Sequence, residues 1–85
     1  MNMVMGLVVR SIAGRDKGLY LIVTGLEGDA VYVCDGKHRP LEKPKKKNIK
    51  HLATTAITIP ASSLKTNKQI RKALHPYNFG NDVLS

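Results

Sequence analysis

The stretch GLVVRSIAGRDKGLYLIVTGLEGDAVYVCDG, residues 6–36, decides the fold. Three short apolar runs alternate with polar breaks that carry glycine. Gly6–Ile12 is rich in β-branched residues and bounded by glycine, the pattern of a strand. Ala13–Gly18 encloses Arg15, Asp16 and Lys17 between two glycines. It reads as a tight loop, because glycine reaches positive φ without a steric cost. Leu19–Thr24 is almost continuously apolar, which predicts a strand covered on both faces. Gly25–Asp29 forms the next turn and Ala30–Cys34 the third strand. Asp35 followed by Gly36 is a strong hairpin signal.

After Gly36 the character changes. His38–Leu41 reads as a short edge strand, with Pro40 confining it to an edge or an end. Glu42–Lys47 is charged and loop-like. Asn48–Leu52 alternates polar and apolar residues and fits a last strand with Ile49 and Leu52 near the core. Four to five short strands joined by turns predict a mainly β fold, a small barrel. Ala53–Ala61, rich in Thr and Ala, reads as an extended connector. Thr66 and Gln69 have the form of a capping box, and Ile70, Ala73 and Leu74 then share one helical face. Pro76 should stop this helix. The expected organisation is a barrel over residues 1–53 and an extension over 54–85, whose short C-terminal α-helix (66–75) packs on the barrel.

Composition narrows the function. A chain of 85 residues makes one small domain and leaves little room for a deep catalytic pocket. Fourteen Lys and Arg against six Asp and Glu give a net charge of +8. With a pI near 9.9, this is the electrostatic signature of a protein that meets a polyanion. Cys34 is the single cysteine, so an internal disulfide is excluded, which suits a reducing compartment. Cys34, His38, His51 and His75 lack zinc-ligand spacing, so no metal or other cofactor is expected. The apolar runs are far too short to span a membrane. Met1–Val9 lacks the basic start and cleavage pattern of a signal peptide, which leaves the cytoplasm as the expected location.

Val8–Gly18 followed by Leu19–Cys34 resembles a KOW motif, with Gly18 where that motif places its fixed glycine. The continuation, Asp35–Leu41 and then Pro44–Leu52, is similar to bacterial KOW-domain RNA-binding proteins. These are related to large-subunit ribosomal protein fourteen of the eukaryotic and archaeal type. The resemblance covers residues 6 to 53 most strongly. It implies an SH3-like barrel and association with RNA or the ribosome, as a constitutive component or an accessory factor of translation.

The residues support an RNA partner on their own terms. Seven cations lie between Lys37 and Lys50: Lys37, Arg39, Lys43, Lys45, Lys46, Lys47 and Lys50. Glu42 is the one acid among them. Clustered like charges repel until phosphates sit between them, and binding RNA releases its condensed counterions. Lysine suits phosphate without base preference, whereas Arg39 also forks two hydrogen bonds or stacks. Arg15 and Lys17 offer a second edge, beside a turn whose glycines serve geometry, phosphate approach or both. His51 completes the expected RNA-binding set. His38 is a further hydrogen-bonding candidate. Lys68, Lys72 and His75 fall on one helical stripe that reads as an ordinary wet face. Tyr20, Tyr32, Tyr77 and Phe79 are the only aromatics, and Tyr20 and Tyr32 read as core or rim. So few rings favour recognition of structured RNA by phosphate and shape. No catalytic set of nucleophile and base, or of paired carboxylates, is apparent, so the chain reads as non-enzymatic. The competing reading is an SH3-like module of the transcription or translation machinery that binds proteins. An exposed apolar patch away from the cations would favour it.

Overall fold

The computed structural model describes residues 3–79. Five strands form one antiparallel sheet: β1 (Leu7–Ser11), β2 (Tyr20–Glu27), β3 (Ala30–Cys34), β4 (Lys45–Asn48) and β5 (Leu52–Thr58). Their spatial order is β4-β3-β2-β1-β5. One 3-10 turn, Ile49–His51, carries the chain from β4 on one edge to β5 on the other. In a flat sheet those edges would lie about 19 Å apart, at about 4.8 Å per strand. Three residues of 3-10 helix rise only about 6 Å. The sheet therefore has to curl until its edges nearly meet, which makes the fold barrel-like.

Strand alternation sorts the apolar residues into two cores. Leu7, Val9, Leu21, Val23, Val31, Val33 and Leu52 fill the concave side, with Leu19 and Ile49 packed against them. Val8, Ile22 and Cys34 point the other way and meet Ile70 and Leu74 of helix α1 (Asn67–Asn78). β1 and β2 are therefore buried on both faces, as their continuous apolar runs require. Cys34 is a fully buried free thiol, pushed up in pKa by that burial.

Several expected boundaries move. The strand expected at His38–Leu41 is a loop. The Asp35 carboxylate oxygen Oδ1 accepts from the backbone N–H groups of Lys37 (2.8 Å) and Arg39 (2.7 Å), curling the chain before it can extend. The run Lys45–Lys47, expected as a loop, is β4, with Lys45 opposite Val33 and Lys47 opposite Val31. Asn48–Leu52 is not one strand: Asn48 ends β4 and Leu52 begins β5, and between them the Asn48 side chain caps the 3-10 turn by accepting from the Lys50 N–H (2.9 Å). The connector instead pairs with β1 as β5, so the barrel boundary expected after residue 53 falls inside a strand. That pairing contains a bulge in which the Thr55 hydroxyl donates to the Val8 carbonyl (2.7 Å).

Helix α1 begins as its capping box predicts. The Thr66 hydroxyl accepts from the Gln69 N–H (3.1 Å), and the Gln69 side chain accepts from the Thr66 N–H (3.2 Å). It does not end at Pro76 but runs to Asn78. Proline removes only one hydrogen bond this close to a helix end, and the last turn is held from outside. The Asn78 amide accepts from the Tyr20 N–H (2.9 Å) and donates to the Tyr20 carbonyl (3.3 Å), and Tyr77 packs on Tyr20. Asn67 does the same at the other end, accepting from the Leu41 N–H (2.8 Å). Between them the Arg71 guanidinium donates to the Gly36 carbonyl (2.7 Å). Gly36 has φ +80°, and a Cβ there would collide with the Asn67 carbonyl oxygen, so only glycine lets the loop touch the helix.

Candidate nucleic-acid interface

The loop joining β1 to β2 is built around an acid turned inward. Asp16 Oδ1 accepts from Lys47 Nζ at 2.6 Å and lies 2.8 Å from the Ser11 hydroxyl; Lys45 Nζ is 3.5 Å from Oδ2. Lys47 also donates to the Ala13 carbonyl (2.9 Å). Burial pushes the Asp16 pKa upward. The hydrogen bonds from Lys47 and Ser11, with the charges of Lys47 and Lys45, outweigh it and bring the value from 3.8 down to about 2. Gly18, at φ +93°, closes the loop with its N–H on the Ser11 carbonyl (2.8 Å). No neighbour approaches its Cβ position, so glycine is needed there for backbone shape alone. With Asp16 pulled in, Arg15 and Lys17 on either side of it are exposed.

This arrangement corrects the expectation of one basic ridge. Lys47 is only 6% exposed and its ammonium is enclosed by Asp16 and Ala13, so it holds the fold and does not face a ligand. Lys45 is half-buried on the same carboxylate. Lys46 points to the other face of β4 and meets Glu27 at 3.5 Å, where the Tyr32 hydroxyl also donates (2.6 Å). Those two partners hold the Glu27 carboxyl below its ordinary pKa, and the bond to Glu27 raises that of Tyr32. Lys50 lines a separate cleft beside Met3, Leu26 and Ala53. Lys43 and His51 are exposed but line none of the groove described next.

Most of the remaining cations, though not Arg10 or Lys65, gather elsewhere. Two adjoining hollows of about 470 and 680 Å³ share Leu19, His38, Asn78 and Phe79 and so form one open groove. Arg15, Lys17 and Arg39 line its first half. Lys37 lines the second, facing Lys68, Arg71, Lys72 and His75 of α1. Two loops and a helix thus present cations to one concavity. Asp16 and Asp35 also line it, but Asp16 is held by lysines and Asp35 is buried under its own loop, its Oδ1 taken by two backbone amides. Among the described residues, the salt bridges involve only Lys45, Lys46 and Lys47, so the groove cations enter none.

Four of the expected RNA-binding residues, Arg15, Lys17, Lys37 and Arg39, therefore share one groove, and the helical stripe read as a wet face is its other wall. The signal for that wall was in the sequence. The capping box fixes where the helix starts, and Ile70 and Leu74 fix its buried side. Lys68, Lys72 and His75 then fall together. What the sequence hid is that the Asp35–Arg39 loop lies beside them.

Among the described residues no cluster of His, Cys, Asp and Glu is placed to hold a metal ion, and no helix is long and apolar enough to cross a membrane. No protein-family model matches this chain, and no curated protein is significantly similar to it.

Proposed function

We propose that this chain is a non-catalytic RNA-binding protein that docks structured RNA, ribosomal RNA first among candidates, in the groove between its loops and α1. The observation that carries this reading is the sorting of charge. The acids nearest the groove are turned inward or held by backbone amides, while Arg15, Lys17, Lys37, Arg39, Lys68 and Lys72, none of them in a salt bridge among the described residues, line one concavity. A concave, rigidly mounted set of cations follows the curve of a phosphate backbone and loses little freedom on binding. The curled sheet, the loop closed by Gly18 and the basic segment support assignment to the KOW type, with its SH3-like barrel and a role on the ribosome or in translation. If about four phosphates are neutralised, affinity for a hairpin RNA should fall on the order of 100-fold between about 50 and about 200 mM salt. Fluorescence anisotropy across that range checks it, and a salt-independent affinity would remove the proposal.

One observation favours a second reading, a protein-interaction module. Val4 and Met5 are exposed, and Met5 borders an apolar cleft with Leu41, Ile59 and Leu64 that shares no residue with the groove. Partners captured through that cleft would survive nuclease treatment.

A further inference from the structure

Phe79 is the largest side chain left open on the groove surface, 55% exposed, and it lines both halves. It is held in place: its N–H donates to the His75 carbonyl (2.8 Å), and its ring lies 5.4 Å from the His75 ring. The turn before it is fixed to β2 through Asn78. Leu19 continues the apolar surface beside it, and cations stand on both sides, Arg15, Lys17 and Arg39 in one half and Lys37, Lys68 and Lys72 in the other.

An apolar partner would gain from the ring but would desolvate the ammonium groups around it without pairing them. A nucleotide satisfies both, because its base has a π-face for the ring and its phosphates meet the lysines. Bases inside a continuous duplex are stacked on one another and present no free face, whereas a bulged or unpaired base does. We propose, resting on the RNA-binding reading above, that the groove selects RNA carrying an unpaired nucleotide. That base stacks on Phe79, and its flanking phosphates lie against the cations of the two halves. Phosphate contact alone would make the groove indifferent to such a defect; the ring supplies the discrimination.

The test compares two blunt-ended RNA duplexes, identical except that one carries a single bulged adenosine, by anisotropy at one fixed salt concentration. The wild-type protein should bind the bulged duplex about tenfold more tightly, the usual worth of one stacked base. Phe79→Ala should bring that ratio to about one, and Phe79→Tyr, which keeps the ring, should preserve it. Equal binding of both duplexes by the wild type, or a preference that survives Phe79→Ala, overturns the proposal while leaving the RNA-binding reading intact. Binding to neither duplex overturns both.

Discussion

Replacing Lys47 by methionine should destabilise the fold by roughly 3 kcal/mol, the cost of removing one partner from a buried ion pair. Methionine keeps most of the aliphatic stem that covers the edge of the core, so the loss comes from the charge. Asp16, only 12% exposed at its side chain, would keep the Ser11 hydroxyl and the more distant Lys45. The loop from Ala13 to Gly18 would also lose the cation that joins its carbonyl and its carboxylate to β4. Urea unfolding checks this, and a change below about 0.5 kcal/mol, the range of ordinary surface substitutions, would show that the pair is dispensable. The pH dependence carries a matching sign. The folded-state pKa of Asp16 is about 2, depressed from 3.8. Its contribution is complete above pH 4 and is lost as pH falls from there through 2. It amounts to on the order of 2 kcal/mol. The Lys47→Met protein should lose less stability over that window than the wild type does.

The second large effect is on binding. Lys37→Glu, Lys68→Glu and Lys72→Glu combined should lower RNA affinity on the order of 100-fold or more and flatten the salt dependence by about three phosphate contacts. All three side chains are exposed and enter no salt bridge among the described residues, so the fold should be kept. The matched control, Lys43→Glu with Lys46→Glu and Lys50→Glu, makes the same change in net charge outside the groove. It should cost only the long-range part of the attraction, within about threefold at near-physiological salt, where exposed charges are screened over about 8 Å. If the control loses as much as the groove variant, the cations act as a diffuse cloud and the groove has no special part.

How far the sequence could be read depends on which residues carried the signal. β1, β2 and β3 were legible because Val8, Val9, Leu21 to Val23 and Val31 to Val33 are apolar runs between turns. β4 was hidden because a strand made of three lysines has no apolar signature. It exists because Lys45 and Lys47 lay their stems along the core edge and end on Asp16, a contact 29 and 31 residues away in sequence. β5 was hidden in Thr and Ala, which extend readily but announce no partner. Pro76 misled because local chemistry argues for a stop, while the Asn78 amide pairing with the Tyr20 backbone overrides it. The site divides along the same line. The abundance of cations was evident. Which ones are internal was not, because a single aspartate between Arg15 and Lys17 decides it, and its partners come from β4.

The proposed RNA site is tested most directly by lysine footprinting: reductive methylation with and without added hairpin RNA, read residue by residue by mass spectrometry. RNA held in the groove should protect Lys17, Lys37, Lys68 and Lys72 and leave Lys43, Lys46 and Lys50 equally reactive in both states. Protection concentrated on Lys43, Lys46 and Lys50, with Lys68 and Lys72 unaffected, would contradict it.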